Sequence, residues 1–166
     1  GYIYNDGTIT FDGSGTIVNA SDSNIFNVDD GKIISKNDIV NNGTIVNRAE
    51  MTTYKNVNND SEGYNPIFNG TICNQGTITV ECSGTMVNAS DSSISNFGII
   101  ISNNDIVNDG SFQNSRDFES NGEIENNGTI SNNGEIENNG DIENNGTIFN
   151  NGTITGSGNI TGNSVQ

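Results

Sequence analysis

The feature that most constrains this chain is an isoleucine, or another apolar residue, that returns every six residues. Towards the C-terminus the repeat reads Asn-Asn-Gly-x-Ile-x, and its isoleucines are Ile124, Ile130, Ile136, Ile142, Ile148, Ile154 and Ile160. A spacing of six fits neither one face of a helix nor a long strand, but it fits a short strand followed by a corner. Repeats of this kind predict a solenoid, in which short coils stack on one another.

The same pattern extends through most of the chain, with steps of eight mixed in upstream. Its members are Ile3, Ile9, Ile17, Ile25, Ile33, Ile39, Ile45, Met51, Val57, Ile72, Ile78, Met86, Ile94, Ile100, Ile106, Phe112 and Phe118. Only the stretch from Tyr64 to Phe68 loses it, and that stretch holds Pro66, the single proline. Proline removes a donor from a strand ladder, so this stretch is predicted to be a loop or an edge.

A longer repeat indicates an internal duplication. The segment 19–23, Asn-Ala-Ser-Asp-Ser, returns unchanged as 88–92, an offset of 69 residues. We therefore divide one predicted domain, residues 1–166, into two copies at about 1–69 and 70–120 and a regular hexapeptide tail at 121–166.

Strand alternation within each unit predicts that the isoleucine points inward and its two neighbours point to water. The Asn-Gly that follows suits a turn with positive φ. An asparagine recurs two residues after the inward residue, and stacked amides about 4.8 Å apart can hydrogen-bond as a ladder at a corner. The predicted ladder residues are Asn19, Asn27, Asn41, Asn47, Asn74, Asn88, Asn96, Asn108, Asn126, Asn132, Asn138, Asn144 and Asn150.

These observations predict an all-β fold, a single-stranded parallel β-helix with isoleucine columns inside and asparagine ladders at the corners. Three units per coil would give a triangular prism of about eight coils and a rod of about 40 Å, whereas two units would give a flatter and longer arcade. The sequence does not choose between two and three sides, and it leaves the handedness open.

The net charge of −16 argues against nucleic acid or an anionic membrane as a partner, because only 5 residues are Lys or Arg. No apolar run is long enough to insert in a membrane. Cations are more plausible partners, and Ca²⁺ or Mg²⁺ could bridge stacked carboxylates, with Ca²⁺ as the candidate cofactor. The outward carboxylates that would bind it are Glu123, Glu125, Glu135, Glu137, Asp141 and Glu143. A solvated acidic face explains the same residues.

Cys73 and Cys82 suggest a disulfide within the chain, and pairing between chains is the alternative. Many asparagines lie in glycosylation sequons that the repeat itself creates. Asn59 and Asn69 lie outside the regular repeat and are the glycosylation candidates. The chain begins with Gly1, which is what removal of a secretion signal would leave, although simple trimming gives the same result.

The chain has no histidine. This excludes catalysis by the histidine bases and histidine-bound zinc of other solenoid enzymes, together with Ser-His-Asp and Cys-His arrangements. Solenoid lyases and glycosidases need only carboxylates or an Arg or Lys base, but the few basic residues of this chain are scattered. Its Thr-x-Thr runs are too few for an ice-binding array. We therefore expect no enzymatic activity and no cofactor other than a possible Ca²⁺.

Neither end of the repeat shows a polar cap, so each end is predicted to expose unpaired strand edges. Such edges favour a homopolymer in which the last coil of one molecule pairs with the first coil of the next. The alternative is a solenoid stalk of an adhesin or a phage fibre, with the segment from Asn59 to Phe68 as a binding tip. A loop that plugs one side of the solenoid explains the same segment.

The Asn-Asn-Gly-Thr-Ile and Asn-Asn-Gly-Glu-Ile units resemble those of secreted parallel β-solenoid proteins, which include adhesin passengers and subunits of extracellular microbial fibres and sheaths. The resemblance implies a parallel β-helix, a location outside the cell or on its surface, and a structural role. It names no ligand. The eight-residue units and the Tyr64 region depart from the pattern.

Overall fold

The chain folds into a three-sided parallel β-solenoid of eight coils. The computed structural model describes residues 1–54, 57–59, 70–81 and 85–166. Each coil contributes one short strand to each of three sheets, and a strand pairs with the strand of the next coil rather than with its neighbour along the chain. The predicted parallel β-helix is confirmed, and it has three sides rather than two.

Every third strand belongs to the same eight-stranded sheet. Sheet A contains β1 (Tyr2–Asn5), β4 (Asn24–Asn27), β7 (Thr44–Asn47), β10 (Thr71–Asn74), β13 (Ser93–Asn96), β16 (Ser111–Asn114), β19 (Thr129–Asn132) and β22 (Thr147–Asn150). Sheet B contains β2 (Thr8–Phe11), β5 (Lys32–Ser35), β8 (Glu50–Thr53), β11 (Thr77–Val80), β14 (Ile99–Ser102), β17 (Asp117–Ser120), β20 (Glu135–Asn138) and β23 (Thr153–Thr155). Sheet C contains β3 (Thr16–Asn19), β6 (Asp38–Asn41), β9 (Val57–Asn59), β12 (Met86–Asn88), β15 (Ile106–Asn108), β18 (Ile124–Asn126), β21 (Ile142–Asn144) and β24 (Ile160–Gly162).

The core consists of three columns of stacked apolar side chains, one from each sheet. Register pairs such as Ile72 with Ile94 and Ile124 with Ile142 place the inward residues directly above one another. These side chains are buried from Ile25 to Ile148. Phe112 and Phe118 fill the sixth coil together, with ring centroids 4.9 Å apart. Every described inward residue predicted from the six-residue pattern therefore has its place in a column.

Buried asparagines form a continuous ladder at the corner between sheets A and B. In each step the asparagine Nδ2 of one coil donates to the asparagine Oδ1 of the next coil, at 2.7 to 2.9 Å. The ladder runs through Asn5, Asn27, Asn47, Asn74, Asn96, Asn114, Asn132 and Asn150. Asn5 and Asn114 belong to it although the prediction omitted them.

A second ladder lies at the corner after sheet C. Asn19 donates to Asn41 at 2.6 Å. A longer described series runs through Asn88, Asn108, Asn126 and Asn144. The asparagines also donate to backbone oxygens of the adjoining coil, so they satisfy polar groups that the corner buries.

The prediction was wrong for Asn138, which lies at the third corner, after sheet B. This corner is lined mainly by Ser and Thr, and Ser120 is the register partner of Asn138. The serine hydroxyls donate to a backbone oxygen two residues ahead, as Ser102 does to Asn104 at 2.8 Å. Asn138 Nδ2 donates to the backbone oxygen of Gly140, but its buried Oδ1 has no partner among the described residues.

The expected role of the corner glycines was also wrong. Gly98, Gly128 and Gly146 do not have positive φ. Instead, a Cβ at Gly128 would lie 2.1 Å from the backbone oxygen of Gly110 in the preceding coil, and Gly146 has the same relation to Gly128. Glycine is required at these corners because stacked backbones approach too closely for any side chain.

Candidate interaction surfaces

The solenoid offers three outer faces and two ends as candidate functional surfaces. Each strand presents two outward residues on its face, one before and one after the inward residue. Coils in the regular part are 18 residues long, as the spacing between ladder asparagines shows. That length decides which outward residues share a face.

Four of the six predicted cation-binding carboxylates lie on the face of sheet C. Glu125 and Glu143 are register neighbours in adjacent coils. Glu123 and Asp141 precede the inward residues of the same two strands, and Asp105 holds the equivalent place one coil earlier. Neighbouring strands lie about 4.8 Å apart, so these carboxylates repel one another.

The other two predicted carboxylates, Glu135 and Glu137, lie on the face of sheet B. They are register neighbours of Asp117 and Glu119 in the preceding coil. Arg116 Nε approaches Asp117 at 3.9 Å, and both side chains are largely exposed. The structure thus separates the six carboxylates into two groups on different faces.

Neither acidic group forms a recognisable metal site. Among the described residues there is no cluster of three or more His, Cys, Asp or Glu side chains that could hold a metal ion. Ca²⁺ binding by these carboxylates therefore stays a prediction. Two further adjacent carboxylates, Asp29 and Asp30, lie in a turn, in which Asp29 has a φ of 54° and Gly31 N–H donates to the Val28 oxygen.

Exposed asparagines form a further set of hydrogen bonds on the outer side of the corners, which the sequence reasoning missed. Asn145 Nδ2 donates to Asn127 Oδ1 at 3.2 Å and to Glu143 Oε1 at 3.2 Å. Asn127 likewise donates to Glu125 Oε1 at 2.9 Å. Each of these asparagines fixes the carboxylate two residues before it. The doubled Asn-Asn of the repeat was the available signal, because its first residue is buried and its second exposed.

Two ion pairs involve lysines of the first coils. Lys32 Nζ lies 2.9 Å from Glu50 in the next coil, and Lys36 Nζ lies 2.8 Å from Asp12. The hydrogen bond and the charge of Asp12 raise the pKa of Lys36 above its ordinary value. Both pairs are well exposed, so they contribute little to stability.

The first coil leaves its inward residues partly uncovered. Ile3 is 39% exposed, whereas Ile25, its register partner in the second coil, is 7% exposed. A small apolar hollow opens at this end, lined by Ile3, Ile9, Ile17 and side chains of the next coils.

The last coil is similarly uncovered. Ile160 is 41% exposed, whereas Ile142 beneath it is 1% exposed. Val165 pairs in parallel with Ile148 at the edge of sheet A.

Several predicted residues lie in or beside segments outside the described residues. Cys73 is half-buried on the outer face of sheet A, but Cys82 is not among the described residues, so their pairing stays a prediction. Asn59 ends β9 in register with Asn41 and Asn88, so the repeat explains it after all. Glycosylation of Asn59 or Asn69 stays a prediction. Asn69 and most of the segment proposed as a binding tip, from residue 60 to Phe68, lie outside the described residues.

Comparison with known proteins finds no matching family model, no matching curated protein and no matching solved structure. Among the described residues, no helix has the length and apolar character needed to cross a membrane.

Proposed function

We propose that this chain is a structural subunit that assembles end to end into an extracellular filament or sheath. The observation that carries the proposal is that the coils stack through parallel strand edges and cover one another's inward residues, a contact that a second copy of the chain can continue. In residues 1–166, Ile3 of the first coil and Ile160 of the last coil are far more exposed than Ile25 and Ile142, the residues stacked on them. Joining the two ends would bury both.

The polarity of the solenoid supports contact between unlike ends. Strands of successive coils pair in parallel throughout the described part. A second molecule that continues this pairing must place its first coil on the last coil of the first molecule, with both molecules pointing in the same direction. Such a contact is heterologous and does not close on itself, and it therefore builds a fibre.

The asparagine ladder has the same polarity. Among the described residues, Asn5 Oδ1 accepts from the N–H of Gly7, at 3.3 Å, and from no asparagine amide. In the last coil, the one acceptor of Asn150 Nδ2 within the described part of the chain is the Gly152 oxygen, at 3.4 Å. In the proposed contact, β1 of the next molecule takes the place that Val165 holds beside Ile148, and Asn150 then donates to Asn5 of the next molecule.

Electron microscopy of the purified protein, with and without a chelator, tests the proposal. We expect long unbranched fibres with a repeat of about 4.8 Å along the axis. Ile3→Lys places a charge in the end contact and should leave short rods. Thr8→Lys adds the same charge to an outward, exposed position of the first coil and should still give fibres.

Uniform short rods from the unaltered protein would reject the polymer, and the stalk of an adhesin or phage fibre would become the leading proposal. Loss of fibres on chelation would identify the acidic columns as cation sites. The proposal assigns no catalytic residue and no cofactor. Its extracellular location rests on the resemblance to secreted solenoids, and fractionation of the producing cells tests it.

A further inference from the structure

Among the described residues, the outer face of sheet A carries no charged side chain. Its outward residues form two columns, a leading one before the inward residues and a trailing one after them. The leading column is Tyr2, Asn24, Thr44, Thr71, Ser93, Ser111, Thr129 and Thr147. The trailing column is Tyr4, Phe26, Val46, Cys73, Ser95, Gln113, Ser131 and Phe149. We call this surface face A.

The other two faces carry charge on several coils. Face B, the outer surface of sheet B, presents Lys32, Glu50, Asp117, Glu119, Glu135 and Glu137. Face C, the outer surface of sheet C, presents Asp38, Asp105, Glu123, Glu125, Asp141 and Glu143. In a chain with a net charge of −16, one side of the prism is thus neutral across all eight of its described strands. Solubility does not require a neutral face. A face that packs against another surface must be neutral, because a buried unpaired charge is costly.

We propose that face A is the lateral contact between two copies of this chain, packed face to face and antiparallel within the filament proposed above. Two copies that approach through face B or face C bring columns of carboxylates together. Face A is the side on which identical acidic rods meet without that repulsion. Its Ser and Thr side chains are small, which allows two flat sheets to approach closely.

The distribution of charge along the axis favours the antiparallel arrangement. Four of the basic residues, Lys32, Lys36, Arg48 and Lys55, belong to the first part of the chain, and Arg116 is alone in the second. The carboxylates of the hexapeptide tail have few cations near them. Antiparallel packing places the acidic end of one copy beside the less acidic end of the other, whereas parallel packing puts the two acidic ends together.

Antiparallel packing also brings the aromatic residues of face A together. A two-fold axis along the strand direction reverses the order of coils and sets each trailing column against the other. The first coil of one copy then lies opposite the last coil of its partner, so Tyr4 faces Phe149. These side chains are 68% and 44% exposed in the isolated chain. Tyr2 already stacks on Phe26, with ring centroids 6.3 Å apart. The contact would bury exposed aromatic surface at both of its ends.

The size of face A predicts that the contact is weak for single molecules and strong in a filament. Eight strands spaced about 4.8 Å apart, each about 13 Å long, give about 500 Å² on each copy and about 1,000 Å² in total. That area is at the lower limit for a specific interface. Subunits already joined end to end meet a second filament at many repeats at once, so the weak contacts act together.

Electron microscopy and sedimentation equilibrium of Thr129→Glu and Thr79→Glu test the lateral contact. Thr129 lies on face A between Ser111 and Thr147, and Thr79 lies on face B between Thr52 and Ile101. Both changes replace a half-buried threonine by a glutamate, and in both the register neighbours are uncharged. Circular dichroism should therefore show the same fold for each variant. We expect paired filaments from the unaltered protein and from Thr79→Glu, and filaments of single width from Thr129→Glu. Lateral association of the soluble protein should weaken about 100-fold in Thr129→Glu, since each dimer acquires two buried charges.

The lateral contact rests on the filament proposal, but the two fail in different ways. If the unaltered protein forms short rods that pair side by side, the lateral contact is supported and end-to-end assembly is rejected. Long filaments of single width from the unaltered protein would keep end-to-end assembly and overturn the lateral contact, leaving face A to a foreign neutral partner. Equal weakening by Thr79→Glu would also overturn it, because the effect would then come from added charge and not from face A.

Discussion

Asn114 offers the most direct test of what the corner ladder contributes to stability. Its side chain is fully buried. Its Nδ2 donates to Asn132 Oδ1 at 2.8 Å and to the backbone oxygens of Arg116 and Glu135, both at 2.9 Å. Its Oδ1 accepts from Asn96 Nδ2 at 2.8 Å. Because the amide has two protons, its three acceptors share the equivalent of two full bonds, and Asn114→Ala removes these together with the bond from Asn96.

Each of these bonds is worth about 1 kcal/mol net, and the backbone oxygens left buried without a donor add to the loss. We therefore expect Asn114→Ala to lower the free energy of unfolding by about 4 to 5 kcal/mol. Domains of this size are usually stable by about 5 to 15 kcal/mol, so the effect is large. Asn114→Asp keeps the shape but sets a carboxylate oxygen against three oxygen atoms, and it should cost more than alanine.

Urea unfolding followed by circular dichroism measures these changes, and Asn138→Ser is the matched control. Asn138 is buried at the serine-lined corner, and its Oδ1 has no partner among the described residues. Other serines of that corner donate to the backbone oxygen two residues ahead, and a serine at position 138 can donate to the Gly140 oxygen in the same way. The free energy of unfolding should therefore change by less than about 1 kcal/mol. A cost below about 1 kcal/mol for Asn114→Ala, or an equal cost for both positions, would refute the role given to the ladder.

Three further substitutions probe the corners, the core and the acidic columns through the same unfolding measurement. Gly128→Ala should lose about 1 to 3 kcal/mol because its Cβ meets a backbone oxygen at 2.1 Å, whereas Gly7→Ala, whose Cβ meets nothing within 4 Å, should be neutral. Equal effects would contradict the stacking explanation. Phe112→Ala should lose about 3 to 5 kcal/mol from the sixth coil, and a loss below 1 kcal/mol would mean that the columns are loosely packed. Glu125→Gln should gain about 0.2 to 1 kcal/mol by relieving repulsion with Glu143, and a gain that persists in about 1 M salt would disprove that cause.

The sequence predicts the inward columns because only one residue in each unit is consistently apolar, and burial demands that these residues stack. It does not predict the number of sides, since the period of six is the same for two or three. That number decides whether Glu123 and Glu135 share a face, and they do not. The role of Gly128 was missed for a related reason, because its contact is with Gly110 in another coil and leaves no local signal.

Asn126 and Asn138 show the limit most clearly. Both end the identical hexapeptide Asn-Gly-Glu-Ile-Glu-Asn. Asn126 is a ladder residue, whereas Asn138 follows Ser120 in its column. The difference comes from the coils above and below each asparagine, so the sequence of a single hexapeptide does not contain it.

The interchangeable hexapeptides set a rule for how such a rod can evolve. A gain or loss of 18 residues adds or removes one coil and returns every later side chain to its original face. A change of six residues turns all later units by one side, so the neutral columns would cross onto an acidic face. The 69-residue offset carries β1 to β10, three whole coils onward in sheet A. Such a duplication lengthens the rod and preserves the orientation of its faces.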